Sequence, residues 1–149
     1  GPAEPARRAE LWRWREAHTE AVNALGPPVK LDVTVPGGAI AAFCTEVRAR
    51  LAAAVPAGRC WLFGHVADGN VHVNVTGVGG DDEAAVEDVV LGLAAALGGS
   101  ISAEHGIGTA KRVHLHLSRS PAEIAAMRAV KAALDPAGIL NPGALLPPP

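Results

Sequence analysis

Two histidines, His65 and His72, flank the dipeptide Asp68-Gly69 in the segment Gly64-His65-Val66-Ala67-Asp68-Gly69-Asn70-Val71-His72-Val73-Asn74. A Glu-His dipeptide, Glu104-His105, follows some thirty residues on. Asp-Gly is a strong signal for a two-residue hairpin, because the primed turns need positive φ in the loop. Such a turn pairs Ala67 with Asn70, Val66 with Val71 and His65 with His72. Directly opposed residues have Cβ atoms about 5 Å apart, close enough for two imidazoles to share one cation. Two histidines and Glu104 make a three-ligand set with room for a fourth, exchangeable ligand, the pattern of catalytic zinc. Manganese and iron(II) accept the same donors, so the set does not name the metal. The plain alternative is a histidine pair that stacks and hydrogen-bonds on a solvated sheet.

His105 adjoins Glu104, and in extended chain the two side chains diverge by half a turn. His105 could then face a substrate while Glu104 reaches the metal. A histidine beside a metal-polarised hydroxyl is a natural general base; otherwise it is a helix-start residue with a structural hydrogen bond. Arg15 and Thr19 are spaced i,i+4 on a helix and share a face. Arginine suits bidentate carboxylate binding, although with Arg13 and Glu16 nearby the same face reads as solvated charge. Lys30 falls on the polar side of a strand, where a snorkelling lysine is the ordinary outcome.

These residues must be held by elements that the pattern also predicts. Arg7 to Leu25 reads as one helix, stopped by Gly26-Pro27-Pro28. Val29 to Val35 alternates apolar and polar and ends at Pro36-Gly37-Gly38, a half-buried strand. Ala39 to Val55 is an amphipathic helix with Ile40, Phe43, Val47 and Leu51 on one side. Arg59 to Val66 and Asn70 to Gly77 are the hairpin strands. Asp81-Asp82-Glu83 caps a helix to Leu97, stopped by Gly98-Gly99. Ser100 to Ala103 reads as a short edge strand, and a short helix follows Gly106-Ile107-Gly108. Ser120-Pro121-Ala122-Glu123 is a capping box that opens a last helix, ending near Leu134.

The middle of this order is β-α-β-β-α-β. It predicts an α+β fold, a ferredoxin-like antiparallel four-stranded sheet with helices on one face, the first and third strands central, and additional N- and C-terminal helices. Val71, Val73 and Val75 then face the helices. Asn70, His72, Asn74, Thr76, His65, Phe63, Trp61, Lys30, Asp32 and Thr34 share the other face. An open sheet face of that composition expects a partner domain, a ligand, or both.

Bulk properties narrow the function. The 149 residues are 49% hydrophobic, with a formal net charge of -2, which suits one domain with its own core. No basic stripe points to nucleic acid, and no apolar stretch is long enough for a transmembrane segment. Cys44 and Cys60 read as buried free thiols, consistent with a cytoplasmic location, the inner membrane face included. Gly1-Pro2 reads as a cleavage scar and residues 1–6 as a disordered lead, leaving 7–149 as the domain.

Five stretches resemble one family: Leu11-Trp12 through Arg15-Glu16, Lys30 through Pro36, Gly64-His65 through Asn70-Val71-His72, Ser102-Ala103-Glu104-His105-Gly106-Ile107-Gly108, and Leu134-Asp135-Pro136 through Leu140-Asn141-Pro142-Gly143. Together they resemble the C-terminal substrate domain of the FAD-linked oxidases and dehydrogenases of D-2-hydroxy acids, within the vanillyl-alcohol oxidase superfamily. The resemblance implies oxidation of a small-molecule 2-hydroxy acid (D-lactate, glycolate or D-2-hydroxyglutarate) to the 2-oxo acid, with hydride passing to FAD. It implies His65, His72 and Glu104 as ligands of a divalent metal such as zinc, and His105 as the base. It implies Arg15, Thr19 and Lys30 as carboxylate-binding residues, Asn74 as a substrate contact and Asn141 as a residue near the flavin. The FAD-binding domain of such proteins precedes this region and is absent from this chain, so the fragment alone is expected to be inactive. The electron acceptor is not specified. Two other readings use the same residues: a self-contained metal-dependent hydrolase, and a non-catalytic ferredoxin-like module that binds metal or ligand.

Overall fold

A computed structural model describes residues 4–148, with the backbone alone for Ala6. Two N-terminal helices, α1 (Pro5–Glu16) and α2 (His18–Asn23), precede strand β1 (Val29–Thr34). Helix α3 (Ile40–Ala54) leads to the hairpin of β2 (Arg59–His65) and β3 (Asn70–Thr76). Helix α4 (Glu83–Ala96) follows, then an irregular segment with a 3-10 stretch at Lys111–Leu117, and helix α5 (Pro121–Leu134).

The sheet has three antiparallel strands in the order β1-β3-β2. Its alternation gives one apolar face. Leu31, Val33, Val71, Val73 and Val75 project onto Phe43, Val47 and Leu51 of α3 and Val86, Val90 and Leu93 of α4, all buried. Burial of this kind stabilises by roughly 25 cal/mol per Å² of apolar surface and is the main term holding the sheet to its helices. The opposite face carries the polar residues, as their period-2 spacing predicts.

Four expectations need correction. First, the helix over 7–25 is divided at Ala17, and it starts at Pro5, inside the expected disordered lead; Gly1–Ala3 lie outside the described residues. The imidazole Nδ1 of His18 lies 2.6 Å from the Arg15 carbonyl at this break.

Second, the hairpin turns through four residues, Val66 to Gly69, so His65 pairs with Asn70 and His72 with Phe63. The primed two-residue turn fails because Gly69 takes positive φ (75°) and Asp68 does not. Asp68 instead accepts the Asn70 N–H through its Oδ1 at 3.0 Å, a side-chain turn of the Asx type.

Third, the expected fourth strand over Ser100 to Ala103 is reduced to a single antiparallel bridge, Ser100 to Thr34. The Ser102 amide turns back to Ser100 Oγ, and those of Ala103, Glu104 and His105 go to the Asp32 side chain of β1. β3 is therefore the one central strand of the sheet and β1 an edge strand touched by that bridge, not the second central strand of a four-stranded ferredoxin-like sheet.

Fourth, the acids before α4 sit in a 3-10 turn, Gly80–Asp82, and Asp82 makes no side-chain cap bond. The capping box at Ser120 forms as expected, with Pro121 in the first turn. Beyond Leu134 the Asp135 carboxylate accepts the backbone N–H groups of Ile139 and Leu140 at 3.0 Å each. Arg128 donates to the carbonyls of Pro147 (2.6 Å) and Pro148 (3.1 Å), which ties the tail to α5.

Candidate metal and substrate site

The open face of the sheet collects the expected residues. A four-residue loop changes each pairing by two positions, an even step, so every side chain keeps its face. His65 and His72 are therefore diagonal neighbours rather than directly opposed, and their rings still meet edge to face, centroids 5.7 Å apart. Glu104 arrives from the loop after the Ser100 bridge. Its Oε1 lies 3.6 Å from Nε2 of His65 and accepts a 2.7 Å hydrogen bond from the buried Asn70 amide. Single donor atoms of His65, His72 and Glu104 all lie within 4.8 Å of one another.

That spacing can be tested against a metal. Zinc–donor bonds of about 2.1 Å in a tetrahedron separate the donors by roughly 3.4 Å. The His65–Glu104 distance already meets this, and small side-chain movements bring in His72. Two imidazoles and one carboxylate also match the donor chemistry of a zinc, manganese or iron(II) site with an open position. The residues fit the group.

Asp32 is the residue that the sequence argument placed on this face without giving it a role. It is completely buried at mid-β1, in register with His72. Its Oδ2 accepts three consecutive backbone N–H groups, from Ala103 (3.1 Å), Glu104 (2.6 Å) and His105 (3.0 Å). Its Oδ1 lies 3.3 Å from Nδ1 of His72. Burial alone would raise the Asp32 carboxyl pKa. The Glu104 and His105 amides, with the charges of His105 and Lys111, outweigh that and hold it below the usual carboxylate value. Lys111, itself buried, donates from Nζ to the Asp32 backbone carbonyl at 3.1 Å. Its pKa is lowered by burial, against the pull of Asp32 and Glu87.

The remaining residues surround a two-part cleft. The larger part, about 380 Å³, is lined by Thr19, Lys30, His72, Asn74, Glu104 and His105 among others. That volume sits at the low end of small-molecule sites, roughly 300–1,000 Å³. The smaller part is lined by Arg15, Thr19, His65 and His72, with His18 and Phe63. His18 stacks on Phe63 with centroids 5.4 Å apart, so the N-terminal helices roof a sheet face that sequence reasoning left open. Arg15 Nη2 lies 3.3 Å from His65 Nδ1, and its Nη1 pairs with Glu16 at 2.7 Å. The His105 ring lies alongside His72, centroids 6.0 Å apart. Asn141 is not brought to either part of the cleft; it is exposed, with φ of 46° in a turn that asparagine tolerates.

Nine residues were expected to form the site, and eight line this cleft; the geometry adds Asp32, Asn70 and Lys111 behind them. These side chains share the polar face of a small α+β domain. The chain belongs to the family described as FAD linked oxidases, C-terminal domain, whose model matches residues 2–145.

Curated relatives point the same way. The chain is 46% identical to a D-2-hydroxyglutarate dehydrogenase of Xanthomonas citri pv. viticola, an alignment covering 94% of this chain and 31% of that protein. It is 41% identical to the D-2-hydroxyglutarate dehydrogenase of Stutzerimonas stutzeri, over 89% of this chain and 30% of that protein. It is 40% identical to the mitochondrial D-2-hydroxyglutarate dehydrogenase of Danio rerio, over 92% of this chain and 26% of that protein. The chain thus spans less than a third of the length of these relatives.

Proposed function

We propose that this chain is the substrate- and metal-binding part of a flavin-dependent D-2-hydroxy-acid dehydrogenase, with D-2-hydroxyglutarate as the leading substrate. One observation carries the reading: His65, His72, Glu104 and His105 converge beside Arg15, Thr19 and Lys30 in a chain of the FAD linked oxidase family. His65, His72 and Glu104 would hold the cation. Bound there, a divalent metal lowers the pKa of a coordinated hydroxyl, and FAD serves as the hydride acceptor.

The chain's own residues do the rest. Lys30 and Arg15 offer positive charge to carboxylates, and Thr19, between the two parts of the cleft, offers a hydroxyl to either end of the acid. A dicarboxylic acid has two carboxylates to place, which suits cations at both ends of the cleft. Asn74 presents an amide on the same face. His105 takes the hydroxyl proton on a ring nitrogen as the Cα–H bond breaks with its electron pair, leaving the 2-oxo acid.

FAD would be held mainly by the remainder of the longer protein, Asn141 being the residue of this chain assigned nearest to it. The exposed apolar strip of Val130 and Leu134 on α5 with Ile139 and Leu140 is surface that such a neighbour would cover. The electron acceptor stays unassigned. Among the described residues no helix is long and apolar enough to cross a membrane.

The test uses the full-length flavoprotein in anaerobic stopped flow. D-2-hydroxyglutarate should bleach the flavin of the wild type. His105→Gln should keep the metal and substrate affinity but lose about 10²–10⁴-fold in the rate of bleaching. Unchanged bleaching in that variant contradicts the assignment of the base.

A further inference from the structure

We propose that Asp32 is a positioning residue that sets both halves of the cation site through one carboxylate, an inference that rests on reading His65, His72 and Glu104 as the ligands. The two halves need a common reference. His65 and His72 stand on paired strands, which fix them. Glu104 stands on a loop whose ladder pairing ended at Ser100. Three hydrogen bonds to Asp32 Oδ2 replace the missing ladder and place Ala103, Glu104 and His105 relative to β1. The other oxygen is buried 3.3 Å from Nδ1 of His72 and forms no hydrogen bond with any described group, so His72 is the nearest donor that could satisfy it.

The consequence is a choice of tautomer. A buried, unsatisfied carboxylate oxygen 3.3 Å from Nδ1 favours the imidazole that carries its proton there, a small ring rotation completing the hydrogen bond. The lone pair of His72 is then on Nε2, free for a cation. Outer carboxylates that orient ligating histidines act in this way, and their loss commonly lowers metal affinity about 10–100-fold. Asp32, His72 and His105 also form a donor group of similar spacing. Three amides already engage Asp32 Oδ2, however, which fits support of the site better than direct ligation.

Asparagine at this position separates the two tasks. If its single oxygen keeps the three amides, its NH₂ faces His72 and donates to Nδ1. The imidazole proton then moves to Nε2 and covers the lone pair the cation needs. If the amide flips, its NH₂ meets three N–H donors and the loop loses its anchor.

The experiment uses this chain labelled with ¹⁵N-histidine, free of metal, at about pH 8, where an ordinary imidazole is neutral. Long-range ¹H–¹⁵N spectra should show His72 of the wild type protonated at Nδ1. In Asp32→Asn the proton should move to Nε2, zinc affinity by calorimetry should fall about 10–100-fold, and circular dichroism should be unchanged. A wild-type His72 protonated at Nε2, or an Asp32→Asn chain with wild-type zinc affinity, overturns the proposal. Should the variant fail to fold, the wild-type tautomer alone decides. Should the wild type bind no zinc, the ligand reading fails, and the tautomer still judges the role of Asp32.

Discussion

Replacing neighbouring residues of β3 separates the two faces of the sheet in one experiment. Val73 is completely buried on the helix side, whereas His72 points to the cleft and packs against Phe63, His65 and His105. Val73→Ala removes two buried methyl-sized groups from a close-packed core. At about 0.8 kcal/mol each plus a cavity term, the cost is about 2–3 kcal/mol. For a chain of this length each kcal/mol shifts Tm by roughly 3 °C, so the loss is about 6–9 °C. His72→Ala leaves that core intact and should cost about 1 kcal/mol, or about 3 °C.

Metal reverses the ranking. Zinc at about one hundred times Kd should raise the stability of the wild type by about 2.7 kcal/mol through linkage, or about 8 °C. Val73→Ala should keep that increment, and His72→Ala should lose it. Differential scanning calorimetry in chelator and in zinc reads both quantities. A His72→Ala chain that melts as low as Val73→Ala in chelator, or that retains the zinc increment, refutes the assignment of faces.

Two further outcomes follow from the same geometry. Gly69→Ala should destabilise the chain by at least about 1 kcal/mol, seen in urea titration, because an alanine resists positive φ and its Cβ would meet the Val35 carbonyl. Asp32 has a folded pKa below its ordinary value, so its stabilising contribution is complete above about pH 4 and is lost as pH falls through the folded pKa. The metal-free wild type should therefore lose stability more steeply below about pH 4 than Asp32→Asn, and equal slopes by acid titration would contradict the account of that carboxylate.

Much of this was legible because strand alternation is robust. Leu31, Val33, Val71, Val73 and Val75 define the buried face by their period, and an even register step leaves it unchanged. The turn was not legible: Asp-Gly signals a hairpin, but the Asp68 side chain competes for the Asn70 amide and produces a longer loop. The fourth strand failed for a related reason. Ser100 to Ala103 alternates well enough, yet the Ser102 amide, next in the ladder, turns back to Ser100 Oγ, and the Asp32 carbonyl it would meet accepts from Lys111 Nζ. Asp32 itself looked like an ordinary polar position on a half-exposed strand. The signal available was register: aligning β1 against β3 puts Asp32 beside His72 and Lys30 beside Asn74. Lys111 gave no local signal, because its partner is the carbonyl of a residue 79 positions away.

The convergence of His65, His72 and Glu104 is open to direct observation by X-ray absorption of this chain loaded with zinc. The account predicts one zinc per chain, with two imidazoles and carboxylate or water oxygen at about 2.0–2.2 Å. It also predicts that Glu104→Gln weakens retention without removing the imidazole signal. A chain that holds no stoichiometric zinc, or one whose zinc shows sulfur ligation or no imidazole, contradicts it.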